Sequence, residues 1–144
     1  MVDGQGLPLV VSLSAGQRHE SLYFESLVSA VRICTGRGRP RWRPNAIAGD
    51  KAYSNPRIRN GLRCHGIQAV IPQRSDEIKR HKGRPILFDR LAYRQRNVVE
   101  RCVGWLKENR RVAVRYEKLA INYMGMIQLA MIQRYLQPVF SNSA

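Results

Sequence analysis

Residues 46–72 read AIAGDKAYSNPRIRNGLRCHGIQAVIP, and this stretch decides the fold class. Ala46 to Asp50 is a short apolar run ending on a carboxylate, as expected of a brief strand. Asn55 is a favoured helix N-cap, and Pro56 suits the first helical position, where a missing N–H costs nothing. A helix is therefore expected over Asn55 to Cys64, stopped by His65-Gly66. Ile67 to Ile71 then gives a second short strand, which Pro72 ends. Strand, helix and strand in immediate succession indicate an α/β fold.

Upstream, Asp3-Gly4-Gln5-Gly6 reads as a tight turn and Leu7 to Ala15 (LPLVVSLSA) as the strand that follows it. A hairpin turn at this point calls for a partner strand before it, so the sequence reads as starting in mid-sheet. His19 to Cys34 carries Leu22, Leu27, Val28 and Val31 at helical spacing, and Thr35 to Asn45 (TGRGRPRWRPN) is a Gly/Pro/Arg loop. Downstream, the polar stretch from Gln73 to about Asp89 is expected to be an extended loop or insertion, partly disordered without a ligand. A long helix is expected from Leu91 to Asn109. A second, from Tyr116 to Leu136, is rich in Leu, Ile and Met and reads as a buried packing helix with Met124, Met126 and Met131 in its core. The expected organisation is one domain over residues 1–137 and a tail over 138–144.

Charge narrows the function class. The 144 residues carry 25 Lys+Arg against 10 Asp+Glu, a net charge of +15, and 20 of the cations are Arg. The planar guanidinium fork binds phosphate in a bidentate manner, so this excess points to nucleic acid. Three scattered cysteines, Cys34, Cys64 and Cys102, form no C-x-x-C pair and suit reduced thiols in a cytoplasmic protein. No apolar run approaches the ~20 residues of a membrane span, and the N-terminus lacks the basic-then-apolar pattern of a signal peptide.

On a continuous helix over Leu91 to Asn109, Tyr93, Arg96, Glu100 and Lys107 would project at roughly 0°, 300°, 340° and 320°, a narrow stripe. It combines a phenol, two cations and one carboxylate, while Val98, Cys102 and Trp105 face the other way. By spacing alone, Arg96 and Glu100 also make an ordinary i,i+4 ion pair. Asp50, at a strand end and followed by Lys51, Ala52 and Tyr53, occupies the kind of position where ligand-binding groups collect in open α/β sheets. A helix N-cap or a turn would use the same residue.

Tyr93-x-x-Arg96-x-x-x-Glu100-x-x-x-x-x-x-Lys107 resembles the YREK signature of bacterial insertion-sequence transposases of the DDE type, and Asp50-Lys51-Ala52-Tyr53 resembles that family's D-K-x-Y element. DGQGLPLVVSLSAGQRHES, HGIQAVIPQRS and RNVVERCVGWLKENRRVAVRYEKLA are similar to family segments in the same order, so the resemblance runs from Asp3 to about Leu136. It implies an RNase H-like fold, here N-terminally truncated and with C-terminal helices, in which three carboxylates hold two Mg2+ ions for phosphoryl transfer on DNA. Carried over, Asp50 is the second acid and Glu100 the third. Tyr93, Arg96 and Lys107 contact DNA, with Lys51, Arg110 and Arg111 beside them, and Tyr53 supports the site. The first acid belongs on a strand upstream of the Asp3 turn; Asp3 itself, before a Gly, reads as a turn residue. The chain alone is accordingly expected to be inactive, with DNA, an upstream transposase fragment or a second copy as partners. The competing readings are a basic DNA-binding remnant without chemistry and an RNA-binding protein. His19, His65 and His81 form no metal spacing with a cysteine, and Cys64-His65 reads as a helix end.

Overall fold

The computed structural model describes residues 1–34, 36, 38–80, 83 and 85–141. They form two compact units, residues 14–96 and residues 1–13 with 97–141.

The first unit is built on the expected strand–helix–strand segment. β1 (Ala46–Ala48) and β2 (Gln68–Val70) pair in parallel, with Ile47 opposite Ala69. Helix Pro56–Cys64 connects them. In chain order it is α2, after α1 (Phe24–Ala30). Asn55 caps α2 by accepting the Arg57 N–H at 2.8 Å, and Pro56 takes the first position. At the other end Gly66 adopts φ 65°, while the N–H groups of Gly66 and Ile67 return to the carbonyls of Arg63 and Leu62. That double closure is a Schellman stop, and it needs a residue tolerant of left-handed backbone. Ile58 and Leu62, four apart on α2, are buried with Phe24, Val28, Val31, Ile47, Ile67, Val70 and Ile71.

Three expectations in this unit change. The helix over His19 to Cys34 is shorter: a 3-10 turn at Glu20–Tyr23 leads into α1, and Val31 turns extended. The β-branched Val31 is buried in that extended form, and Ile33 forms an antiparallel bridge with Arg41. The stretch expected as a loop after Gln73 contains α3 (Ser75–Arg80), with Asp76 and Glu77 in its first turn and Lys79 and Arg80 in its last. Charges so ordered complement the helix dipole. The expectation of disorder around His81, Lys82 and Arg84 lies outside the described residues, as do Thr35 and Arg37 of the basic loop. The long helix from Leu91 is broken: α4 (Arg90–Arg94), capped by Asp89, ends in a turn at Gln95 and Arg96 before α5 (Asn97–Glu108) begins.

In the second unit the Asp3 turn forms as expected. Its carboxylate accepts the N–H groups of Gln5 and Leu7, and Gly6 takes φ 89°. The strand expected over Leu7 to Ala15 does not form. Among the described residues its pairing is a single bridge, Val2 with Pro8, flanked by the bonds from the Asp3 N–H to the Leu7 carbonyl and from the Leu9 N–H to the Met1 carbonyl. After α5 come α6 (Arg110–Ala113), followed by a turn in which Arg115 is left-handed at φ 45°, and α7 (Ala120–Ser141), which starts later than expected. α7 continues into the stretch read as a tail, whose residues 142–144 lie outside the described residues. It buries one face only. Ile127 and Ala130 join Val112, Trp105, Met126 and Met131 in the core, whereas Ile121 and Leu129 are exposed. Cys102 is buried, as its position on the face opposite Glu100 requires.

Leu62 is 2% exposed, so Leu62→Ala opens a cavity under β1 and β2. Its expected cost is about 2–5 kcal/mol. Leu119→Ala, at a side chain 66% exposed, should stay near neutral; paired urea denaturation curves check both.

Candidate functional site

Gly49 carries the parallel pairing one residue beyond β1, its N–H donating to the Val70 carbonyl at 3.2 Å, and Asp50 follows at the strand's carboxyl end. A Cβ at Gly49 would lie in ordinary van der Waals contact with Tyr53 and Ile71 at 3.4–3.5 Å, so both side chains pack against the backbone there. Asp50 is the N-cap of a 3-10 turn, Lys51–Tyr53: its Oδ1 accepts the Ala52 N–H at 2.8 Å. Its Oδ2 lies 3.8 Å from Arg96 Nη2, with both side chains partly exposed. A pair that loose and that wet contributes at most about 1 kcal/mol. Asp50 is thus both a turn residue and a half-exposed carboxylate with lone pairs to spare.

Side chains from three other elements hold this turn. Arg74 donates Nε to the Lys51 carbonyl at 3.0 Å and Nη2 to the Ala52 carbonyl at 3.3 Å. Ser54, 3% exposed, donates its hydroxyl to Glu77 and accepts from Arg59 Nη2 at 2.9 Å. Arg59 also donates to the Ile71 carbonyl at 2.8 Å, which ties the turn to the end of β2. Tyr53 donates its hydroxyl to Glu20 at 3.2 Å and packs its ring on Phe24. Burial, then the nearby Glu20 carboxylate, push the Tyr53 phenol up to about 12. None of Glu20, Arg59, Arg74 or Glu77 was singled out in the sequence. Each acts across 5 to 33 positions, and no local spacing betrays that.

Asp50, Lys51, Tyr53 and Arg96 come together in the first unit, with Lys51 exposed. Tyr93 sits on α4 of the same unit and packs against Phe88 at 5.2 Å. The continuous stripe expected on one helix is divided. Tyr93 lies on α4 and Arg96 in the turn, whereas Glu100 and Lys107 share an exposed face of α5 in the second unit. The turn arises because the Arg96 N–H bonds the Tyr93 carbonyl at 3.0 Å, three residues back, which tightens the helix to a close. Arg110 and Arg111 lie on α6; Arg111 pairs with Glu117 at 2.6 Å and stacks over Tyr116.

Carboxylates are the right donors for Mg2+. Among the described residues, however, no three His, Cys, Asp or Glu side chains group closely enough to hold a metal ion. These residues supply the donor type and not a complete centre. His19 caps the first 3-10 turn, and His65 is the C-cap of α2, as the helix-end reading required. No described helix is long and apolar enough to cross a membrane.

Residues 1–133 match the sequence profile of the family described as Transposase DDE domain. The chain is 31% identical over 130 residues to a protein of Burkholderia cepacia assigned as the transposase for insertion sequence element IS402. That alignment covers 90% of this chain and 57% of the relative, so the chain spans little more than half the relative's length. No solved structure matches.

Tyr53 gives the site's packing a direct test. Its pKa is about 12 in the fold against an ordinary 10.0, so the folded state keeps a proton that the unfolded chain gives up. Stability should therefore fall as pH rises from 10 towards 12. Burial is the larger cause, so Glu20→Gln should bring the phenol only part of the way back; ultraviolet titration against a Tyr53→Phe reference reads the difference.

Proposed function

The chain belongs to the Transposase DDE domain family, and on that premise we propose that it forms part of the catalytic machinery of an insertion-sequence transposase, cutting and joining DNA strands with the help of divalent metal. The supporting observation is Asp50. It stands at the carboxyl end of a parallel strand, on a turn clamped from three elements, in a chain that matches the family over residues 1–133. On this reading the βαβ segment is part of an RNase H-like fold. Asp50 is the second acid and Glu100 the third, and a further carboxylate joins them from outside these residues.

Mg2+ bound by such carboxylates would polarise the scissile phosphate and stabilise the leaving oxygen. The chain's own residues do the rest. Lys51 and Arg96, flanking Asp50, attract the phosphate backbone and offset repulsion between the acid and the DNA. Lys107, Arg110 and Arg111 bind phosphate from the second unit. The Tyr93 phenol positions the strand, and Tyr53, held neutral by burial, braces the Asp50 turn from beneath.

The test is Mg2+- or Mn2+-dependent cleavage and strand transfer on DNA carrying the ends of the mobile element. The chain should be inactive alone and active when the remaining length of the transposase is supplied. In that assembly Asp50→Asn and Glu100→Gln should each reduce cleavage to background without loss of DNA binding. Full activity in both variants would remove the two acids from the mechanism.

A further inference from the structure

A second feature of the first unit begins where the Asp50 turn ends. Between α2, α3 and the outer edge of β2 runs an open groove of about 1120 Å³. Its α2 wall is a single face: Pro56, Arg59, Asn60 and Arg63 fall within roughly 100° of one another on the helix. The opposite wall comes from α3 with Asp76, Glu77 and Arg80, and the floor from Gly66–Ala69. Among the described residues, β1 is the strand that pairs with β2, so the far edge of β2 opens onto the groove.

We infer that this groove is a DNA-backbone channel leading away from Asp50, which rests on the reading of the chain as part of a transposase. Three observations carry it. The first is charge. Four arginines, Arg59, Arg63, Arg74 and Arg80, line the groove against two acids, Asp76 and Glu77. The Glu77 carboxylate is already engaged by the Ser54 hydroxyl and the Arg74 N–H, which weakens its repulsion of a phosphate. The second is rigidity. Arg59 and Arg74 are fixed by the carbonyls of Ile71, Lys51 and Ala52, acceptors that hold a guanidinium in place without cancelling its charge. The third is continuity. Arg74 touches the backbone of the residues that follow Asp50 and also lines the groove, so a strand with a phosphate at Asp50 enters the channel directly. The amides of Asn60, Gln68 and Gln73 along the walls add neutral donors for phosphate and sugar oxygens, the contacts that position a duplex without reading its sequence. The exposed Arg63 and Arg80 form the outer half of the channel.

The experiment is a salt titration of the full chain binding a fluorescent duplex of arbitrary sequence, read by anisotropy. Each phosphate contact contributes about 0.9 to the slope of log K against log salt. Arg63→Gln/Arg80→Gln should lower that slope by about 2 and weaken binding several-fold at low salt. Arg18→Gln/Lys118→Gln, which removes the same charge from exposed positions outside the groove, should change it little. Arg63→Lys/Arg80→Lys should restore most of the slope, and circular dichroism melts of each variant verify the fold. Equal slopes for the groove pair and the control pair would overturn the channel, and so would a groove pair that binds as the parent does. Loss of the channel and loss of the catalytic reading are therefore separate outcomes: one shows in the binding slope, the other in cleavage by the Asp50 and Glu100 variants.

Discussion

The clamp on the turn from Asp50 to Ser54 is the constraint from which the rest of the first unit follows. A carboxylate one residue beyond a three-residue strand would ordinarily swing with its loop, since the ladder that fixes the backbone has ended. Here Asp50 closes the turn on itself through the Ala52 N–H, and Arg74, in the segment between β2 and α3, grips the carbonyls of Lys51 and Ala52. Arg59 links Ser54 to the Ile71 carbonyl, so the ends of both parallel strands are fastened to one point. Hydrogen bonds from a charged donor are worth about 1.5–3 kcal/mol each, less where water reaches them. Several converging on one turn suffice to give a half-exposed acid a fixed place.

The strand–helix–strand segment was legible because its signals are local. Asn55, Pro56 and Gly66 each act on backbone within a few residues, and each does in the structure what its chemistry demands. The errors fall where a local pattern is outweighed by something distant or has no local trace. Leu7 to Ala15 has a strand's composition, yet among the described residues it pairs through one bridge alone, Val2 with Pro8, and composition does not show whether a partner strand is at hand. Ser75–Arg80 looks like a solvated charge run, and what favours its helix is the order of its charges along the dipole. The break at Gln95 and Arg96 is the most consequential error. Helical periodicity continues on both sides of a short turn, so a residue count cannot detect the break.

The same contrast governs the site. Asp50, Lys51 and Tyr53 were singled out because they adjoin an expected strand end and resemble the D-K-x-Y element, and Arg96 because its spacing to Tyr93 and Glu100 resembles the YREK signature. The structure brings Arg96 to Asp50, and it does so from the turn that was not foreseen. The residues that brace these groups were invisible for a physical reason. Arg59, Arg74 and Glu77 look like members of a dispersed charged surface until folding shows which carbonyls and hydroxyls they reach.

Arginine has two distinct employments in this fold, and the difference sets the surroundings of Asp50 inside so basic a chain. Arg59 and Arg74 bond mainly to backbone carbonyls and a hydroxyl, so their positive charge is retained while their positions are fixed. Arg96 approaches Asp50 only to 3.8 Å, too far for a strong hydrogen bond. An ion pair drawn tight and buried would use up the carboxylate's lone pairs and make them costly to free, whereas a loose, wet pair holds them by no more than about 1 kcal/mol. Fixed cations around a loosely held acid therefore leave the surroundings of Asp50 positive on balance and its remaining lone pairs accessible.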